Sequence, residues 1–121
     1  QYAAGKWTIR EVLCHMIDAE RIFAYRALRF ARNDKTALAG WDENNYAPQA
    51  NAAGRSLQKI AAEMAHLRSS TIDMFEGFTP EMLVRKGIAN NNELSVVALG
   101  FIIAGHETHH CSILQDRYLN S

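Results

Sequence analysis

The sequence has few of the features that mark a disulfide-bonded, membrane or nucleic-acid-binding protein. Two cysteines in 121 residues are too few for a disulfide framework. Thirteen basic and thirteen acidic side chains give a formal net charge of zero, so no overall field attracts nucleic acid or an anionic membrane. Apolar stretches such as 96–104 fall far short of the roughly 20 residues of a transmembrane helix. We therefore expect a single domain, 1–121, in the cytoplasm, with neither nucleic-acid nor membrane partners.

What the sequence does contain is the three- and four-residue apolar spacing of amphipathic helices. The predicted helices cover about 8–33, 55–76 and 95–119, with a short one over about 80–85. Thr8 and Glu11 form a capping box at the start of the first helix. No alternation typical of β-strands competes with this pattern, and 87–92 is expected to be a turn. The pattern predicts an all-α bundle.

Three long helices and one short helix are an incomplete set for a four-helix bundle, in which each helix packs against two neighbours. We expect either a further helix before residue 1 or a partner chain that supplies the missing cover. The chain also begins without methionine, which favours the first alternative.

The connection over 34–52 is long for a segment without regular structure, and loops of this kind are often functional. It contains four side chains that are candidates for lining a pocket, namely Trp41, Asp42, Glu43 and Tyr46. The alternative is a loop that is held down by its two aromatic rings.

The histidines of the third helix are the clearest functional signal. His106 and His110 are four residues apart, so they lie within about 40° of each other on the apolar stripe. Two imidazoles at this spacing can bind one ion, whereas a single histidine on an apolar face is usually a hydrogen-bonded core residue. A third ligand is required, and His15 at the edge of the first helix's apolar face is the best candidate. Three imidazoles suit zinc, nickel, iron or copper.

Residues 106–110 also match H-E-x-x-H, the zinc-protease signature in which the glutamate is a general base. No further ligand pattern follows, so the match does not predict a peptidase, but Glu107 remains a candidate for a catalytic role. His66 is expected to be solvated, and His109 to be exposed or outside the ligand set. Cys14 is expected on the outer side of the first helix, and Cys111 on the flank of the third.

Glu20 lies near the centre of the first helix's apolar face, where an unpaired carboxylate would be costly. We expect a buried arginine or tyrosine as its partner, with Arg117 and Tyr118 as candidates.

Three segments together resemble the DinB/YfiT-like superfamily. They are residues 5–21 with the Gly-Lys-Trp-Thr start and His15, residues 40–46 with Gly-Trp-Asp-Glu-Asn-Asn-Tyr, and residues 104–119 with Ala-Gly-His-Glu-Thr-His-His and Arg-Tyr-Leu. The resemblance implies an up-down four-helix bundle, in which a helix normally precedes the first segment. It also implies a metal site whose three ligands fall on His15, His106 and His110, with zinc or nickel as the ion. Members are usually dimers or monomers, so a homodimer is possible.

The function that the resemblance implies is that of a metal-dependent enzyme. Its better-understood members include transferases that use low-molecular-weight thiols, and many others are classed as metal-dependent hydrolases. We therefore expect a thiol (S-)transferase or a hydrolase that acts on a small molecule. The alternative is a stress-related bundle that binds a metal or a small ligand without turnover.

Overall fold

The computed structural model describes residues 7–114, apart from the side chains at 107 and 110–114, and it is mostly helical. Three long helices are joined by two short helices and a β-hairpin. The elements are α1 (Ile9–Ala31), α2 (Glu43–Tyr46), α3 (Leu57–Glu76), α4 (Pro80–Leu83), β1 (Lys86–Ala89), β2 (Asn92–Ser95) and α5 (Val96–Leu114). The predicted helical bundle is confirmed. The helix expected before residue 1 lies outside the described residues.

Helix α1 is the central element of the fold. Its start is the predicted capping box, in which the Glu11 N–H donates to Thr8 Oγ1 at 3.1 Å and the Thr8 N–H donates to Glu11 Oε1 at 2.9 Å. The helix packs against α5, α3 and the hairpin, and one core cluster forms around Phe30, which is fully buried. No helix within residues 7–114 has the length and apolar character needed to cross a membrane.

The prediction that Cys14 lies on the outer side of α1 is wrong. Cys14 is 4% exposed and belongs to a second core cluster with Ile17, Ala52 and Ile60. A 3-10 turn (Ala52–Gly54) before α3 and α3 itself cover the face that periodicity assigned to solvent. Burial raises the pKa of the Cys14 thiol, so this cysteine is an inert core residue rather than a nucleophile.

The segment expected to be only a turn contains a hairpin. β1 pairs antiparallel with β2 from Lys86↔Ser95 to Ala89↔Asn92. Asn90 and Asn91 form the two-residue loop with φ angles of 50° and 65°, as a type I′ turn requires. Strands of four residues are too short for an alternating pattern to be recognised in the sequence.

The long connection after α1 has more structure than expected. Asp42 caps α2, because its Oδ1 accepts hydrogen bonds from the N–H groups of Asn44 at 3.0 Å and Asn45 at 3.3 Å. Leu38 is tied to the hairpin, since its N–H donates to the Ile88 carbonyl at 2.9 Å. Hydrogen bonds at Leu38 and at Asp42 therefore hold the connection in place. Trp41 and α2 lie next to α1 as a result.

Candidate metal centre

The packing of α1 against α5 brings two histidines together that are 91 residues apart in sequence. His15 Nε2 lies 3.2 Å from His106 Nε2, and the ring centroids are 4.9 Å apart. His15 is 3% exposed and His106 is half-buried. Two such nitrogens either share a hydrogen, with one ring as the donor, or face a common ion.

The separation of these nitrogens fits two ligands of one ion. Metal–nitrogen bonds of about 2.0–2.1 Å at a tetrahedral angle place two ligand nitrogens about 3.3–3.4 Å apart, close to the 3.2 Å observed here. Burial lowers the pKa of His106, and Glu43 only partly opposes this effect. The ring is therefore held in the neutral form that binds metals. Imidazole nitrogens suit zinc, nickel, iron or copper.

Aromatic rings surround the histidine pair. The Trp7 centroid lies 4.7 Å from that of His15, and the Trp41 ring stacks on His15 at 5.9 Å with an interplanar angle of 20°. Phe23 meets His106 edge-on at 5.9 Å. These rings fix the imidazole orientations and limit the access of water. Sequence analysis did not assign Trp7 or Phe23 to the site, although Trp7 directly precedes the cap of α1.

The predicted pocket residues take different positions. Glu43 Oε2 lies 4.0 Å from His15 Nε2, with its side chain 49% exposed. The Trp41 ring lies against His15, and the Tyr46 ring packs edge-on against Trp41 at 5.0 Å. The Asp42 side chain accepts hydrogen bonds at the start of α2, as the N-cap of that helix. The connection thus brings an aromatic ring and a carboxylate to the histidine pair.

The third predicted ligand is not among the described side chains. The side chains of His110 and Glu107 both lie outside them, so their roles stay predictions. Within the described side chains, no three histidine, cysteine, aspartate or glutamate groups converge closely enough to hold an ion. His66 is exposed as expected, and so is His109.

A second buried polar cluster lies on α1 at Glu20, which is 3% exposed. Arg68 of α3 donates from Nη2 to Glu20 Oε1 at 2.6 Å and from Nε at 3.1 Å, and the Thr71 hydroxyl donates to Oε2 at 2.8 Å. An arginine partner was predicted, and Arg68 is one; the candidates Arg117 and Tyr118 lie outside the described residues. The cluster shares a cavity of ≈10 Å³ with His106.

Two comparisons with known proteins agree with this architecture. The sequence profile of the DinB superfamily matches residues 1–114. The fold is similar to that of YfiT from Bacillus subtilis, described as a probable metal-dependent hydrolase with an unusual four-helix bundle topology. The TM-score is 0.79 and the identity 19%, over 96% of this chain and 69% of that one. At this identity the likeness establishes the fold. No curated protein matches the sequence.

Proposed function

Because the chain belongs to the DinB superfamily, we propose that it holds one divalent metal ion, zinc or nickel, through His15, His106 and His110. The observation that carries this proposal is the approach of His15 Nε2 to within 3.2 Å of His106 Nε2 inside a cage of aromatic rings. His110 follows His106 by one turn of α5, the spacing that allows two imidazoles to serve one ion.

The proposed activity is that of a metal-dependent hydrolase or thiol (S-)transferase acting on a small molecule. A bound divalent ion lowers the pKa of a coordinated water or thiol and so supplies a nucleophile at neutral pH. His15 and His106 offer their Nε2 atoms, and Trp7 and Trp41 hold the His15 ring in place. Support for hydrolysis comes from the description of YfiT; the thiol transferase rests on the family resemblance.

One observation favours a non-catalytic alternative, in which the bundle binds metal without turnover. The cavity beside His106 and Glu20 measures only ≈10 Å³, about the least that holds a water molecule. Retention of metal by a protein that turns over neither thiol nor hydrolase substrates would favour this alternative.

Elemental analysis of protein purified without a nickel column tests the metal site. We expect about one equivalent of a divalent ion in the unsubstituted protein and its loss in His106→Ala, because a site with one fewer imidazole binds far more weakly. His66→Ala removes an exposed histidine from α3 and is the matched control. Absence of metal from the unsubstituted protein, also after incubation with zinc and nickel, would refute the proposal.

A further inference from the structure

Arg26 of α1 is a buried positive charge that has no counter-charge among the described side chains. The residue is 7% exposed. Its Nη2 donates to the Ala39 carbonyl at 3.1 Å, and its Cζ lies 5.9 Å from the Phe23 ring centroid. Among the described side chains no carboxylate pairs with this guanidinium, and among the described residues the Ala39 carbonyl is its one hydrogen-bond acceptor. Burying a charge is costly unless it is paired, so the arrangement calls for an anion.

Arg29, one turn further along α1, differs from Arg26 because it does have an anionic partner. Its Nη2 lies 2.7 Å from Asp34 Oδ2, and its Nη1 donates to the Tyr25 hydroxyl at 2.7 Å. Hydrogen bonds from Thr36 and from Arg29 lower the pKa of Asp34 to about 2, so Asp34 is ionised at neutral pH. Arg29 is therefore neutralised, whereas no described side chain neutralises Arg26.

Both arginines line a groove of ≈430 Å³ between α1 and the connection that follows it. This volume lies within the range of about 300–1,000 Å³ that is typical of small-molecule sites. Aromatic walls are provided by Tyr25, Trp41 and Tyr46. Trp41 also stacks on His15 at 5.9 Å, so this side chain borders both the groove and the histidine pair.

We propose that Arg26 binds the anionic group of a small-molecule substrate, a carboxylate or a phosphate, in this groove beside the histidine pair. The remaining N–H groups of the guanidinium suit either anion, since both accept paired hydrogen bonds from an arginine fork. The aromatic walls pack against the apolar part of the ligand. The identification of this ligand as the substrate rests on the proposed function, whereas anion binding by Arg26 does not.

The site is tested by ¹⁵N NMR, in which the protein is titrated with inorganic phosphate and, separately, with acetate. Chloride at the same ionic strength is the control. We expect a saturable shift of the Arg26 Nε–H resonance with one or both anions, and the two arms distinguish a phosphate site from a carboxylate site. Arg26→Gln is expected to weaken binding more than tenfold. Arg29→Gln, the matched control in the same groove, is expected to change it less than threefold. A shift no larger than that caused by chloride overturns the proposal, as does unchanged binding by Arg26→Gln.

Two further measurements keep the result interpretable. If circular dichroism shows that Arg26→Gln does not fold, the titration of the unsubstituted protein decides, and Arg26→Lys, which keeps the charge, is expected to retain saturable binding. The titrations are repeated on EDTA-treated protein and on His106→Ala, where anion binding is expected to persist. Anion binding in a protein that takes up no metal overturns the proposed function alone. Metal uptake without anion binding overturns this inference alone.

Discussion

His15 and Glu20 are two of the buried polar groups of helix α1, five residues apart, and the elements packed against them provide different partners. Glu20 is surrounded by Arg68 and Thr71, which donate to both of its oxygens, so its charge is fully compensated inside the protein. His15 meets another imidazole, aromatic rings and one half-exposed carboxylate. The two residues are equally buried, 3% exposed in each case, yet one is surrounded by charged and hydroxyl donors and the other by neutral and aromatic rings.

The difference separates a structural cluster from a functional one. A compensated buried ion pair cannot lose a member without leaving a charge stranded, so it fixes the position of α3 against α1. A pair of neutral imidazoles can bind an ion when the ring that carries its hydrogen on Nε2 moves that hydrogen to Nδ1, so that both Nε2 atoms present a lone pair and both rings stay neutral. We therefore expect substitutions at Glu20 to change stability, and substitutions around His15 to change ligand binding.

The largest effect is expected for Glu20→Ala. Removal of the carboxylate breaks the ion pair with Arg68 and the hydrogen bond from Thr71, and breaking a buried pair costs about 3–5 kcal/mol. The Arg68 side chain is 27% exposed, so partial hydration reduces the expected loss to about 2–3 kcal/mol. Urea unfolding measures it, and metal content is expected to stay unchanged.

Glu81→Ala is the matched control for this substitution. Glu81 also pairs with an arginine, Arg85, but its side chain is 80% exposed, and exposed pairs contribute about 0–1 kcal/mol. Full stability of Glu20→Ala together with a loss of metal would reverse the roles assigned to the two clusters.

An intermediate effect is expected for Glu43→Gln, measured as metal affinity by competition with a chelator. The carboxylate lies 4.0 Å from His15 Nε2, and its negative charge favours a cation at the histidines. Groups that surround a metal's ligands contribute about 10–100-fold in affinity. Because Glu43 is 49% exposed, we expect about tenfold weaker binding and little change in stability.

Glu93→Gln controls for the general loss of one negative charge. Glu93 lies on β2, 4.0 Å from the Lys86 ammonium, with its side chain 67% exposed. Equal metal affinities of the two variants would show that Glu43 does not act on the site and would weaken the contrast between the two clusters.

The sequence predicted those parts of the fold and site that follow from local chemistry. The capping box at Thr8 and Glu11 was readable because both of its hydrogen bonds join residues three apart. The inward position of His15 followed from helical periodicity, and His106 proved to be its neighbour. That these two histidines meet could be anticipated because both lie on the apolar faces of their helices. Their role as metal ligands stays a prediction.

The parts that depend on which elements become neighbours were not predictable in the same way. Periodicity showed that Glu20 needs a partner, but only the packing of α3 on α1 selects Arg68. The prediction for Cys14 was wrong because the connection covers a face of α1 that would be exposed in an isolated helix. The hairpin did leave a signal, since Asn90 and Asn91 are suited to the positive φ angles of a two-residue turn.

The smallest effect is expected at Asp34, whose partly exposed pair with Arg29 is a reference for the pair of the buried Glu20 with Arg68. The pKa of Asp34 is lowered to about 2, first by the hydrogen bond from the Thr36 backbone. An unfolded chain binds this proton at a pKa of about 3.9, so the carboxylate stabilises the fold above about pH 4, and this stabilisation is lost as the pH falls towards 2. The unfolding free energies of the unsubstituted protein and Asp34→Asn are therefore expected to differ at pH 5 and to converge near pH 2, as measured by urea unfolding at several pH values. A difference that stays constant from pH 5 to pH 2 would mean that the charge of Asp34 contributes nothing and that the ion pair with Arg29 is not a source of stability.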